Sequence, residues 1–332
     1  MVFRALSSLL FVLIVAVPVF GQLPPANTGG FYVGDFLDDE IAVYAADGAF
    51  LRSFSVAGLD GPRGIIAHSD GRLFVASQMT DEVYVFDADE QFLDAFGHPN
   101  LSGPTGMMLR GDELYVCSFS NDRVLVFDLE GSYLREFTGG GMNGPNCAAM
   151  DADGNIYVAS ALTATVIKFA PDETLLLSFT GGGLSSPMGI ARDDDDVLYV
   201  AGGGSSNIVK FDSAGTLLGT ISHPDLAAPQ GIAFDDRGHF FSSSYSLDRI
   251  VEFDPGGAYV RTILAGDLDI PRSIAFRPLP IGDVDGDGQV DVADLVAVVL
   301  AWGKCPMPCD EDVNGDGTVD VNDLVLVVLN WS

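Results

Sequence analysis

Short apolar runs, four to a unit, repeat along most of this chain. Each unit opens at a proline, and Pro62, Pro104, Pro145, Pro187, Pro229 and Pro271 stand 42, 41, 42, 42 and 42 residues apart. A first run follows the proline, as in Gly64-Ile65-Ile66-Ala67 and Gly231-Ile232-Ala233. Next comes a turn, often acidic with glycine (Asp151 to Gly154), and then a second run such as Leu114-Tyr115-Val116-Cys117. The third run ends on an aromatic residue, usually followed by Asp (Val124 to Asp128, Ile208 to Asp212). The fourth carries alternating apolar residues (Tyr133 to Phe137). Runs this short, bounded by Gly, Asp and Pro, predict strands. Four strands per unit at a fixed period predict the blades of a β-propeller.

The count of runs predicts how the ring closes. Residues 31–60 supply only the second to fourth strands of a unit, and Pro271 to Phe276 supplies only a first. Joined, they complete a sixth blade and remove the free sheet edges that invite aggregation. The pattern Pro-x-Gly-Ile-Ala, Leu-Tyr-Val-Ala, Arg-Val-x-Val-Phe-Asp resembles the NHL-repeat family of six-bladed propellers. Its clearest copy runs from Pro104 to Asp128, with Asn121-Asp122-Arg123 before the third strand. The resemblance covers residues 31–277. It implies the fold strongly and the function weakly, because such propellers serve as scaffolds, as RNA- and protein-binding modules, and in a few cases as lyases or hydrolases.

After residue 277 the pattern changes to acidic loops. Residues 283–294 read Asp-Val-Asp-Gly-Asp-Gly-Gln-Val-Asp-Val-Ala-Asp, and residues 312–323 read Asp-Val-Asn-Gly-Asp-Gly-Thr-Val-Asp-Val-Asn-Asp. A hard cation such as Ca²⁺ takes six to eight oxygen ligands, and this spacing offers them. Loop positions 1, 3, 5, 9 and 12 give Asp283, Asp285, Asp287, Asp291 and Asp294 in the first copy. They give Asp312, Asn314, Asp316, Asp320 and Asp323 in the second. Position 7 offers a backbone carbonyl, from Gln289 and Thr318, and Gly288 and Gly317 sit where the chain turns sharply. Without a cation, the crowded carboxylates would repel one another. Arg277-Pro-Leu-Pro280 and Pro306-Met-Pro308-Cys309 precede the loops, and proline blocks an incoming helix. Only outgoing helices are expected, Val292 to Trp302 and Val321 to Trp331. A duplicated loop and helix with Asp at position 12 resembles a type I dockerin. That resemblance implies two Ca²⁺ sites and a protein partner of the cohesin kind. The chain departs from the usual cohesin-recognition positions, which here are Val292-Ala293 with Val299-Leu300, and Val321-Asn322 with Val328-Leu329. Surplus apolar side chains on these helices predict a docking surface or packing against the propeller's side.

Composition narrows the partners. Lys and Arg number 16 against 47 Asp and Glu, a net charge of −31, which disfavours nucleic acid and anionic membrane surfaces. The first 21 residues read as a secretory signal peptide. Arg4 is its basic end, Leu9 to Val17 its apolar segment, and Val19 and Gly21 its cleavage site before Gln22. Export permits disulfides, between Cys305 and Cys309 or between Cys117 and Cys147, the latter otherwise buried thiols. The expected order is signal peptide 1–21, linker 22–30, propeller 31–277 and a small helical dockerin-like domain 278–332.

The residue after each repeat proline should face the central channel. Arg63, Thr105, Asn146, Gln230 and Arg272 are therefore candidate ligand-binding residues, with Met188 in the same ring. Ring closure makes Arg63 and Arg272 neighbours, and two arginines in so acidic a chain invite a carboxylate or uronic acid. The alternative is that each pairs with a loop aspartate such as Asp35 or Asp60. Ends of the second strands form another ring (Asp35, Ser77, Ser118, Ser160, Gly202, Ser244), read as shared turn geometry. No Ser/His/Asp group or histidine metal cluster can be assembled from His68, His98, His223 and His239. The leading expectation is a secreted binding propeller docked to a surface or complex through its calcium module. A hydrolase or lyase acting on an acidic sugar or lactone at the channel mouth is the first alternative. A structural propeller, with calcium only folding the tail, is the second.

Overall fold

The computed structural model describes residues 29–264, 268–278, 282–284, 290–304, 311–314 and 318–331. Residues 1–21, read as a signal peptide, and Cys305, Cys309, Asp285, Asp287, Gln289 and Asp316 lie outside the described residues.

Six four-stranded antiparallel sheets form the propeller. Blade I takes Pro62–Ala67, Leu73–Ser77, Glu82–Phe86 and Phe92–Gly97, from the channel outward. Blades II to V repeat this from Pro104, Pro145, Pro187 and Pro229, each proline opening an innermost strand. Blade VI is built from both ends: Pro271–Phe276 pairs with Phe31–Asp35, followed by Glu40–Tyr44 and Phe50–Phe54. The six-bladed ring and its closure match the sequence expectation.

Second strands are buried along nearly their whole length, as in Leu73–Ser77 and Ile156–Ser160, because sheets pack against both faces. Outer strands such as Phe92–Gly97 leave their first residues exposed. The core lies between neighbouring blades. At the closure, Phe31 stacks on Tyr44 at 5.0 Å and packs with Ile274 of the joined strand and with Phe241 and Ile250 of blade V.

Two polar devices hold the linkers between blades. Asp39, Asp81, Asp122 and Asp248 adopt the left-handed conformation (φ 54°, 61°, 61° and 49°). Each Oδ1 accepts the backbone N–H that starts the next blade, from Gly61, Gly103, Gly144 and Ile270, at 2.8, 2.6, 2.8 and 3.1 Å. The serine ring supplies the second lock. Ser77 Oγ accepts from Asp60 N and donates to Asp60 O, both at 3.0 Å, and Ser118, Ser160 and Ser244 do the same with Ser102, Asn143 and Ala227. Where blade IV has Gly202, the hydroxyl comes from Ser205 instead, which accepts Ser185 N at 3.2 Å. A Cβ on Gly202 would lie 2.2 Å from that Oγ, so the glycine makes room for it. Ser205→Ala is expected to cost up to about 1 kcal/mol, the net worth of the lost bond, since the exposed Ser185 N–H can turn to water. Adding Gly202→Ser to that variant should restore the urea midpoint.

The tail is a small duplicated unit. Helix α1 (Val292–Leu300) and helix α2 (Val321–Leu329) share a core of Val284, Val290, Val298, Val319 and Val327. Gly303–Lys304 pairs with Thr318–Val319. Both helices are nine residues long, and no helix among the described residues is long and apolar enough to cross a membrane.

Candidate functional site

The channel site begins with a bulge in each innermost strand. Pro62 pairs with Ser77 and Ile65 with Val75, so one extra residue is accommodated at Arg63-Gly64. The same shift recurs in every blade, including Pro145 to Cys147 and the closing pair with Pro271. Crowding there explains the glycine after it: a Cβ on Gly189 would sit 2.2 Å from Gln230 O, and one on Gly64 would sit 2.3 Å from Thr105 O. Two blades depart from this rule, carrying Cys147 and Ser273 instead.

Arg63, Asn146, Gln230 and Arg272 line one cavity of about 150 Å³, together with Cys147 and Ser273. Isoleucines and Met107 form much of the remaining wall. Thr105 does not line it. The residue is fully buried, and its hydroxyl donates to Pro145 O at 3.0 Å and lies 3.3 Å from Cys117 O. Met188 is also absent from the lining.

The two arginines do not pair with the loop aspartates. Arg63 Nη1 donates to Gln78 Oε1 at 3.2 Å, and Arg272 Nη1 donates to Gln230 Oε1 at 3.0 Å. Among the described residues no carboxylate forms an ion pair with either. Asp35 instead accepts Asp269 N at 3.0 Å, and Asp60 N donates to Ser77. The Arg272 guanidinium sits against the rings of Phe36 and Tyr245, 4.5 and 4.6 Å from their centroids, a cation–π contact from two loops. Arg272 Nε, Asn146 Nδ2 and Ser273 Oγ are buried without a hydrogen-bond partner. Burial, and after it the charge of Arg272, pulls the Arg63 guanidinium down to about 9, so it stays protonated at neutral pH. Burial also lowers Arg272.

Cys117 and Cys147 are free thiols, and burial pushes both upward, so they stay protonated. The histidines lie apart in their contacts. His98 stacks on Tyr133 and His223 on Tyr259, at 4.0 and 4.1 Å, and His239 bonds Glu252 at 2.8 Å.

In the tail, both position-12 aspartates are folded back onto their loops. Asp294 Oδ1 accepts Val284 N at 2.6 Å and Oδ2 accepts Asp291 N at 2.7 Å. Asp323 Oδ1 accepts Asn314 N at 3.0 Å and Oδ2 accepts Asp320 N at 2.8 Å. Asp291 and Asp320 cap the two helices. Asp283, Asp294, Asp312 and Asp323 are all buried. Buried aspartates at the start and end of each loop are donors of the type a hard divalent cation takes. The helix residues expected to be surplus are exposed in both copies: Val292, Val299 and Leu300 in one, Val321, Val328 and Leu329 in the other.

No family model matches the chain, and no curated protein matches it. Solved structures do. A protein of unknown function from Bacteroides caccae aligns with TM-score 0.61 at 16% identity, over 75% of this chain and 99% of that one. Virginiamycin B lyase from Staphylococcus aureus aligns at 0.59 and 14%, over 76% and 90%. A chain of a nidogen/laminin complex aligns at 0.66 and 13%, over 74% and 97%. At these identities the likeness establishes the propeller fold alone.

Proposed function

We propose that this chain is an exported binding protein whose NHL-like propeller carries the ligand and whose dockerin-like tail folds around two calcium ions to dock it. The observation that carries the docking half is the paired geometry of Asp294 and Asp323. Each is buried and tied by both oxygens to its own loop, in two copies that share one valine core. Asp283, Asp291, Asp312, Asn314, Thr318 and Asp320 stand in the positions that would complete the two oxygen cages, with Asp285, Asp287, Gln289 and Asp316 from the sequence. The exposed apolar residues repeated on α1 and α2 favour a protein partner, and their apolar character points away from the usual cohesin code. Export rests on the leader through Gly21.

Isothermal titration of the chelator-stripped full chain with CaCl₂ tests this. Two sites per chain are expected, falling to one in Asp294→Ala and one in Asp323→Ala. A flat titration of the wild type would remove the calcium module from the reading.

A further inference from the structure

We infer that the propeller channel binds the carboxylate of a small organic acid, held between Arg63 and Arg272. The inference rests on reading the propeller as the ligand-carrying module, and it is independent of the calcium tail. A guanidinium held out of water without a counter-charge is costly, and here buried Arg63 and half-buried Arg272 line one cavity of about 150 Å³. Their partners are neutral amides, Gln78 and Gln230, which accept one bond each and leave the positive charge uncompensated. Asn146, Ser273 and Arg272, which line the same cavity, also carry buried atoms without a partner, Nδ2, Oγ and Nε. The shared deficit is of acceptors and negative charge. A neutral ligand would leave the two charges facing each other, and a metal cation would add to them. Among anions, the wall decides. Ile65, Met107, Ile190 and Ile274 give the cavity an apolar side that inorganic phosphate cannot cover and a carbon skeleton can. The rings of Phe36 and Tyr245 fix the Arg272 plane, which suits the planar, two-oxygen geometry of a carboxylate.

Such a carboxylate has two sources, a free small acid or a uronic acid unit. Calorimetry on the full chain with sodium lactate, glucuronate, glucose and inorganic phosphate separates them. Binding of lactate and glucuronate supports a general carboxylate site. Binding of glucuronate alone supports the sugar acid, and binding of lactate alone the free acid. Binding of phosphate alone, of glucose as tightly as glucuronate, or of none of the four overturns the inference. Arg63→Gln and Arg272→Gln should each weaken the carboxylate at least tenfold, and unchanged affinity in both also overturns it. Because the wild-type arms need no variant, misfolding of either substitution leaves the test intact. Calcium titration of the same samples keeps the two readings apart: the carboxylate can fail while both calcium sites fill, and the reverse.

Discussion

Stripping calcium from the full chain is expected to abolish the near-UV circular dichroism of its tryptophans while leaving that of its tyrosines in place. The sequence makes this separation possible. Both tryptophans, Trp302 and Trp331, lie in the tail, and all nine tyrosines, from Tyr32 to Tyr259, lie in the propeller. The physical reason is the size of the tail's core. Five buried valines and two nine-residue helices cannot offset the ordering entropy of a segment of about 50 residues without help. Its polar interior makes matters worse, since Asp283, Asp294, Asp312 and Asp323 are buried. Without a cation their mutual repulsion opposes folding, and with one the binding free energy becomes folding free energy. At calcium a thousand times above the dissociation constant, each site contributes about 4 kcal/mol, enough to decide the state of so small a unit. Returning calcium should restore the tryptophan signal. Asp294→Ala with Asp323→Ala should lack it even in calcium. A tryptophan signal indifferent to chelator would mean that packing alone folds the tail.

The propeller was legible because its signal is repeated. One blade's pattern is ambiguous, but six prolines near one spacing, and a first strand at the far end from its partners, leave little choice of ring. The neighbourhood of Arg63 and Arg272 follows from that closure alone. What surrounds them does not. The same bulge follows every proline, yet Arg63 and Asn146 line the cavity while the Thr105 hydroxyl is taken up by Pro145 O. Phe36 and Tyr245 come from loops after second strands, where no periodicity fixes direction. Their aromatic character at matching repeat positions was the available signal. Cys147 and Ser273, standing where four blades have glycine, were a second one. The repeated serines imply shared turn geometry, and the paired Ser–backbone bonds have that form, but Asp35 in the same ring is a different case.

Asp35→Ser is expected to stabilise the propeller at pH 8 and to flatten its pH dependence. Four blades use a serine here, whose hydroxyl both accepts from and donates to a residue of the linker that leads into the same blade. In blades I and III that serine also bonds a threonine hydroxyl three residues on, at 2.7 Å in each. Blade VI, where the ring closes, has carboxylates at both places, Asp35 and Asp38, with Glu40 close by: one ligand oxygen from each lies within 4.8 Å of the others. An ionised Asp35 can accept Asp269 N but cannot donate, and its Oδ1 is buried without a partner. Burial chiefly, with the charges of Asp38 and Glu40, raises its pKa from 3.8 to about 7. The folded state therefore holds a proton that the unfolded chain releases near pH 4. Stability supplied by that proton is complete below about pH 4 and is lost as pH rises through about 7. The full shift corresponds to on the order of 4 kcal/mol, and relaxation and water entry reduce it, so a gain of roughly 2 kcal/mol at pH 8 is expected for the serine variant. At pH 4 the two proteins should differ little. Asp35→Asn, which can accept and donate at any pH, should behave as the serine does. The measurement is the tyrosine-monitored urea midpoint from pH 4 to pH 8, in chelator so that no cation screens the three carboxylates. If wild type and Asp35→Ser lost stability in parallel across that range, the closing blade would not carry the proton assigned to it.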